Sequence, residues 1–176
     1  LSPIVLWRGT VHAAGPYSID NVYVESYAVK ANKVPCGAFR GFGQPQISFA
    51  QESLIDDLAE KIGMDPIDFR LKNIIDKNKL TSTSQKIKDS IGLKELIEIV
   101  RKKSDWDKRK NLKPSANNKR RGLGCSIAYY GVGLGAKGRY LDRAGAYINI
   151  YRDATVNITV GNTEMGQGAL TVLTQI

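Results

Sequence analysis

A chain of 176 residues can form one sizeable domain or two pieces of a larger assembly, and 42% hydrophobic against 24% charged residues excludes wholesale disorder. Lys and Arg outnumber Asp and Glu by 26 to 17, a formal net charge of +9 that invites an anionic ligand or partner. Two widely spaced cysteines, Cys36 and Cys125, and a single histidine, His12, exclude a metal site built from Cys and His alone, so no metal ligands are assigned.

The opening LSPIVLW is too short and too uncharged for a signal peptide, and no apolar run approaches the roughly 20 residues of a membrane span. After a turn at Gly15 and Pro16, the Val and Tyr residues of NVYVESYAVKA, residues 21–31, alternate as in a strand. The connector PCGAFRGFGQPQ, residues 35–46, leads into residues 45–62, where Ile47, Ala50, Leu54, Ile55, Leu58, Ala59 and Ile62 keep helical spacing. Pro45 suits the first turn of that helix and Gly63 its end. Asp65 as cap and Pro66 as first residue restart a helix over residues 67–75. DKNKLTSTSQK is a polar break, after which Leu93, Leu96, Ile97 and Val100 mark another amphipathic helix.

Residues 101–121 hold ten Lys or Arg against two Asp, a run that is either a solvated connector or an interaction patch. A new unit begins near Arg121. GLGCSIAYYGVG reads as a strand, and AGAYINIYRDATVNITV reads as a hairpin turning at residues 152–154. Ala146, Ile148, Ile150, Val156, Ile158 and Val160 share its inward face. GNTEMGQG then opens a helix from Gln167. The elements together give an α+β chain, with helices packed on small mixed or antiparallel sheets. The ends, Leu1 and the apolar GALTVLTQI, suggest a piece cut from a longer protein.

Three glycine motifs invite chemistry. GLGAKG, residues 133–138, fits GxGxxG, with Asp153 twenty residues beyond Gly133. Only RYLDRA separates it from the next strand, too little for the crossover helix of a dinucleotide fold, so it reads as a flexible loop. In GNTEMGQG, backbone N–H groups at a helix start can hold an anion or an acceptor-rich ring, and Gln167 adds a carboxamide that donates and accepts. A tight glycine turn is the competing reading, with Glu164 as a solvated or capping carboxylate. In GAFRGFG, Gly37, Gly41 and Gly43 let the backbone approach a flat partner, Phe39 and Phe42 offer rings, and Arg40 offers a planar fork of donors. That set suits a heteroaromatic, phosphorylated ligand or else a packed structural turn.

GAFRGFGQPQ, followed by a helix and DPIDFRLKN, with GNTEMGQG about 120 residues later, resembles the molybdopterin-binding large subunit of the xanthine dehydrogenase and aldehyde oxidase family, the molybdenum hydroxylases. The resemblance divides the chain into the end of one molybdopterin-binding subdomain at residues 1–100, a basic connector at 101–120 and the start of a second subdomain at 121–176. It implies that Phe39, Arg40, Met165, Gly166 and Gln167 bind molybdenum–molybdopterin, as such or as a dinucleotide. It implies that Phe42 sandwiches a flat substrate and that Arg8 contacts it as a stabiliser of developing charge. Arg8 favours a purine or another N-heterocycle over an aldehyde.

Other domains or subunits would carry FAD and 2Fe–2S clusters, and the reaction would be hydroxylation of an electron-poor carbon in the cytoplasm. The family's catalytic glutamate does not lie within these residues, so the segment alone is expected to be inactive. The loop YGVGLGAKGRY does not match the family's second sandwiching aromatic, which leaves the substrate open. The rival reading is a non-enzymatic module whose basic run binds nucleic acid or an acidic partner.

Overall fold

The structure is a computed structural model describing residues 2–34, 37–112, 119–131, 133 and 143–176. The chain forms two compact units, Leu1–Tyr130 and Gly131–Ile176. Cys36, residues 113–118 of the basic run and all of the GxGxxG loop except Gly133 lie outside the described residues.

The first unit is built from helices α1 (Ser2–Val11), α2 (Gln44–Lys61), α3 (Pro66–Asn73) and α4 (Leu93–Lys103), followed by a 3-10 turn, Trp106–Asn111. Helix α2 carries Pro45 in its first turn, and Gly63, with φ +68°, ends it as expected. Of the predicted apolar stripe Ala59 is buried and Ile55 packs against the core, but Leu54, Leu58 and Ile62 face outward and Glu52 is buried instead. The reason is a buried ion pair. Arg70 of α3 is 0% exposed, and its Nε donates to Glu52 Oε2 at 2.9 Å. Arg70 also reaches Asp56 Oδ1 at 2.7 Å and the Glu52 carbonyl at 3.3 Å. A buried guanidinium needs partners on every edge, and α2 turns its acids toward α3 to supply them.

Glu52 is also an acceptor for Tyr17 Oη at 2.6 Å and for the Ile127 N–H at 2.9 Å. Around this network pack Tyr17, Ile67, Ile74, Ile97, Trp106 and Ile127. Asp65 caps α3 as predicted, accepting the N–H of Ile67 at 2.8 Å. Its carboxylate also receives Trp106 Nε1 at 3.1 Å and Arg109 Nη2 at 2.6 Å. The basic run is thus anchored at Trp106, and among the described residues three of its ten basic side chains are ion-paired within the fold: Arg101 with Asp68 and Asp107, Arg109 with Asp65, and Lys108 with Asp105.

Two predicted strands are corrected. Residues 21–31 form no strand, and Tyr23, Tyr27 and Val29 are well exposed. Alternation gives a strand its faces, but a strand also needs a ladder of hydrogen bonds to a neighbouring backbone, and this segment is in no sheet among the described residues. Residues 122–131 are likewise outside any sheet, since the Ile127 N–H bonds the Glu52 carboxylate and not a ladder carbonyl. Helix α1 was not foreseen.

The second unit holds an antiparallel hairpin, β1 (Ala146–Ile150) and β2 (Val156–Val160), and helix α5 (Ala169–Gln175). The register pairs Ala146 with Val160, Ile148 with Ile158 and Ile150 with Val156, so the predicted apolar face is one face. That face is not buried among the described residues, because Ile148, Ile150 and Val156 are exposed. The turn closes at residues 151–155, with Ala154 left-handed at φ +67° and the Tyr151 N–H bonded to the Thr155 carbonyl.

Candidate functional site

The turn before α2 is held by three consecutive positive φ values: Gly41 at 97°, Phe42 at 55° and Gly43 at 103°. A bulky residue in the left-handed region is uncommon and costs about 1–3 kcal/mol, so its occurrence between two glycines marks a constrained position. The Phe42 N–H bonds the Phe39 carbonyl at 2.8 Å and the Gln44 N–H bonds the Gly41 carbonyl at 3.0 Å. Phe39 is 81% exposed, Arg40 is exposed and Phe42 is half-buried.

The glycines do not all serve the purpose expected of them. A Cβ on Gly43 would stand 2.2 Å from the Val5 carbonyl oxygen and 3.2 Å from the Gly9 nitrogen, so the close partner there is helix α1. A Cβ on Gly41 would strike Pro45, whereas Gly37 has nothing within 4 Å. The α1–α2 contact at Gly43 is what sets the turn beside α1, the helix that carries Arg8.

Arg8 is 7% exposed, with its guanidinium carbon 4.7 Å from the centre of the Tyr130 ring. His12, one turn on, stacks on Tyr130 at 5.1 Å with the rings 15° apart, and its Nδ1 donates to the Arg8 carbonyl at 2.7 Å. Burial holds the His12 pKa below its ordinary value against the bond to the Arg8 carbonyl, and the Arg8 charge pushes the same way as burial. His12 and Tyr130 together fix Arg8 by stacking and cation–π contact. Sequence reasoning missed both: Tyr130 stands 122 residues from Arg8, and only the i, i+4 spacing of Arg8 and His12 on an α-helix hinted at a pair.

In the second unit the loop between β2 and α5 carries Met165, Gly166 and Gln167, all exposed. Gln167 Oε1 accepts the Met165 N–H at 2.6 Å, and its Nε2 donates to the Thr163 carbonyl at 2.8 Å. Glu164 accepts the N–H groups of Gly166 at 2.7 Å, Gly168 at 3.1 Å and Leu170 at 3.3 Å. These bonds, that from Gly168 first, hold its carboxyl below the ordinary range. The capping reading of Glu164 is therefore correct, and the amides read as an anion cradle are already taken by this acid.

A molybdopterin is flat and edged with nitrogen and oxygen, and each unit by itself carries side chains whose chemistry fits such a group. Arg40 supplies a planar fork and Phe39 an exposed ring. Gln167, with two N–H groups and two acceptor lone pairs, engages one of each in its own loop and keeps the others. Open space surrounds Gly161 and Gly168, where an added Cβ meets nothing within 4 Å. Elsewhere in the first unit an open, largely apolar groove of about 490 Å³ runs past Pro16, Ile75, Leu93, Leu96 and Tyr129, and none of the predicted site residues lines it. No group of three or more His, Cys, Asp or Glu is arranged to hold a metal ion among the described residues.

Residues 1–74 match one molybdopterin cofactor-binding domain and residues 99–176 match a second. The chain belongs to the xanthine dehydrogenase and aldehyde oxidase family. It is 32% identical over 180 residues to the nicotinate hydroxylase hnxS of Emericella nidulans, covering 100% of this chain and 13% of that protein. It is 34% identical over 178 residues to the xanthine dehydrogenase of Calliphora vicina, covering 99% of this chain and 13% of the relative. The aldehyde oxidoreductase structure from Desulfovibrio desulfuricans ATCC 27774 superposes with a TM-score of 0.70 at 29% identity, over 89% of this chain and 17% of that one. The chain thus spans well under a quarter of each of these relatives. The α+β fold, with five helices and one two-stranded antiparallel sheet among the described residues, is that of molybdenum-binding domains. No helix among the described residues is long and apolar enough to cross a membrane.

Proposed function

We propose that the chain contributes molybdopterin and substrate binding to a molybdenum hydroxylase that oxidises a purine or another N-heterocycle. The observation that carries this reading is the junction of α1 with α2: Gly43 against Val5 and Gly9 sets the turn that carries Phe39, Arg40 and Phe42, left-handed at residues 41–43, beside the helix bearing a buried, aromatic-stacked Arg8. When bound, the molybdenum–molybdopterin, as such or as a dinucleotide, supplies the two-electron oxidation and the oxygen-transfer chemistry.

The residues of this chain hold and orient. Phe39 and Arg40 meet the cofactor with a ring face and a donor fork, while Met165, Gly166 and Gln167 present a second, glycine-rich surface to it. Phe42 stacks on a flat substrate, its backbone locked so that the ring has little freedom to lose on binding. Arg8, immobilised by Tyr130 and His12, places a fixed positive charge where a substrate oxygen or ring nitrogen becomes negative, which stabilises the transition state more than the ground state.

Within the whole enzyme the partners are the remaining parts of the large subunit and the domains or subunits bearing FAD and 2Fe–2S clusters, in the cytoplasm. The subdomain division at residues 1–100, 101–120 and 121–176 belongs to the same proposal. The aldehyde oxidoreductase likeness supports an aldehyde as the second candidate substrate.

The deciding experiment is Arg8→Met in the intact enzyme, assayed with a purine, nicotinate and an aromatic aldehyde. A heterocycle enzyme loses about 100-fold or more in kcat/KM, the size of one lost charge stabiliser. Unchanged turnover of the preferred substrate would overturn the role of Arg8 and favour an aldehyde.

A further inference from the structure

Glu164 does more than end a strand-to-helix loop. Its Oε1 receives the N–H of Gly166 at 2.7 Å and of Gly168 at 3.1 Å, and its Oε2 receives Leu170 at 3.3 Å. Gly166 and Gly168 are the immediate neighbours of Gln167 on either side, and both are left-handed, at φ 92° and 79°. Residues 161–167 are exposed, so packing does not hold this backbone. Two glycines in an exposed loop have the widest conformational choice of any residues, and an unclamped loop would carry the Gln167 side chain through many directions.

We infer that Glu164 is a positioning residue: its carboxylate bonds the amides on both sides of Gln167 and so fixes the direction in which that carboxamide meets the cofactor. The inference rests on the reading of this loop as part of a molybdopterin site. It has a chemical corollary. The amides of Gly166, Gly168 and Leu170 already hold an anion that belongs to the chain, so a phosphate of the cofactor finds its donors elsewhere, and what the loop offers the cofactor is the carboxamide of Gln167.

The test is a double-mutant cycle in the intact enzyme with Glu164→Ala, Gln167→Ala and the pair, reading pterin release by fluorescence, molybdenum per subunit, and amide exchange across residues 165–170. Exchange in Glu164→Ala is expected to be about tenfold faster at Gly166 and Gly168, since charge-assisted bonds to both amides are lost. Pterin release accelerates in Glu164→Ala and in Gln167→Ala, and the double variant releases no faster than Gln167→Ala alone, because the first residue acts through the second. Glu164→Gln, which keeps one acceptor oxygen, falls between wild type and Glu164→Ala, and it replaces that variant in the cycle should the alanine protein fail to fold. Independent, additive effects of the two substitutions would overturn the inference, as would wild-type pterin release in Glu164→Ala. A wild-type enzyme that holds neither molybdenum nor pterin sinks the functional reading itself, a result distinct from a loaded enzyme indifferent to Glu164.

Discussion

Gly43 gives the sharpest test of how the site is held. In Gly43→Ala the new methyl would lie 2.2 Å from the Val5 carbonyl oxygen, 3.1 Å from its carbon and 3.2 Å from the Gly9 nitrogen, all rigid helix backbone. Relief requires α1 and α2 to part by about 1 Å, an overpacking cost of about 1–3 kcal/mol. The φ of +103° adds about 1–2 kcal/mol for any residue with a Cβ.

Two other glycines separate these contributions. Gly63, at φ +68° with nothing within 4 Å of an added Cβ, carries the backbone cost alone. Gly37 carries neither, and its replacement by Ala stabilises by about 0.4–1 kcal/mol through the unfolded chain. For a chain of this size 1 kcal/mol moves Tm by about 2–4 °C. Thermal unfolding followed by circular dichroism should therefore show Gly43→Ala lower by about 10 °C, Gly63→Ala lower by about 3 °C and Gly37→Ala unchanged or slightly raised. A Gly43→Ala protein no less stable than Gly63→Ala would refute the claim that α1 and α2 touch through that glycine, and with it the route by which Arg8 reaches the turn.

Glu52→Gln strips the charge from the only buried acid facing Arg70 among the described residues and should cost about 3–5 kcal/mol in denaturant unfolding. Asp56→Asn, at a carboxylate half in solvent, should cost under about 1 kcal/mol. Trp106→Ala should destabilise by about 3–5 kcal/mol, while Trp106→Phe, which keeps the ring but loses the bond to Asp65, should cost about 1–2 kcal/mol. His12 binds its proton less readily when folded, so the unfolded chain takes up more protons as pH falls. Stability should be complete above the ordinary histidine value of about 6.5 and decline below it, and His12→Gln should flatten the Tm profile between pH 7.5 and 5.5. An equally steep profile in that variant would assign the decline to other groups.

Local signals made α2, α3, α4 and the hairpin legible, because each rests on contacts a few residues apart: Pro45 and Gly63 bracket one helix, Asp65 and Pro66 start the next, and alternation sets the hairpin face. Glu164 was legible for the same reason, as an acid two and four residues from glycines at a helix start. The failures share a different cause. Residues 21–31 and 122–131 have the side-chain pattern of strands, but pairing is decided by what lies alongside, and for Ile127 that is a carboxylate 75 positions earlier.

Glu52 and Arg70 sit in helices where charge normally marks the solvent face, so no periodicity could reveal that both point inward. This buried pair bears on function. Glu52 holds Ile127, Ile127 leads directly to Tyr129 and Tyr130, and those rings cover His12 and Arg8. A charge network that reads as stability alone is therefore the anchor for the arginine proposed to meet substrate. Glu52→Gln should accordingly weaken heterocycle turnover even at temperatures where the protein remains folded. Conversely, Asp56→Asn, at the half-exposed carboxylate that meets the same guanidinium, should leave turnover unchanged, and equal losses in both variants would mean that the network supports the fold without orienting Arg8.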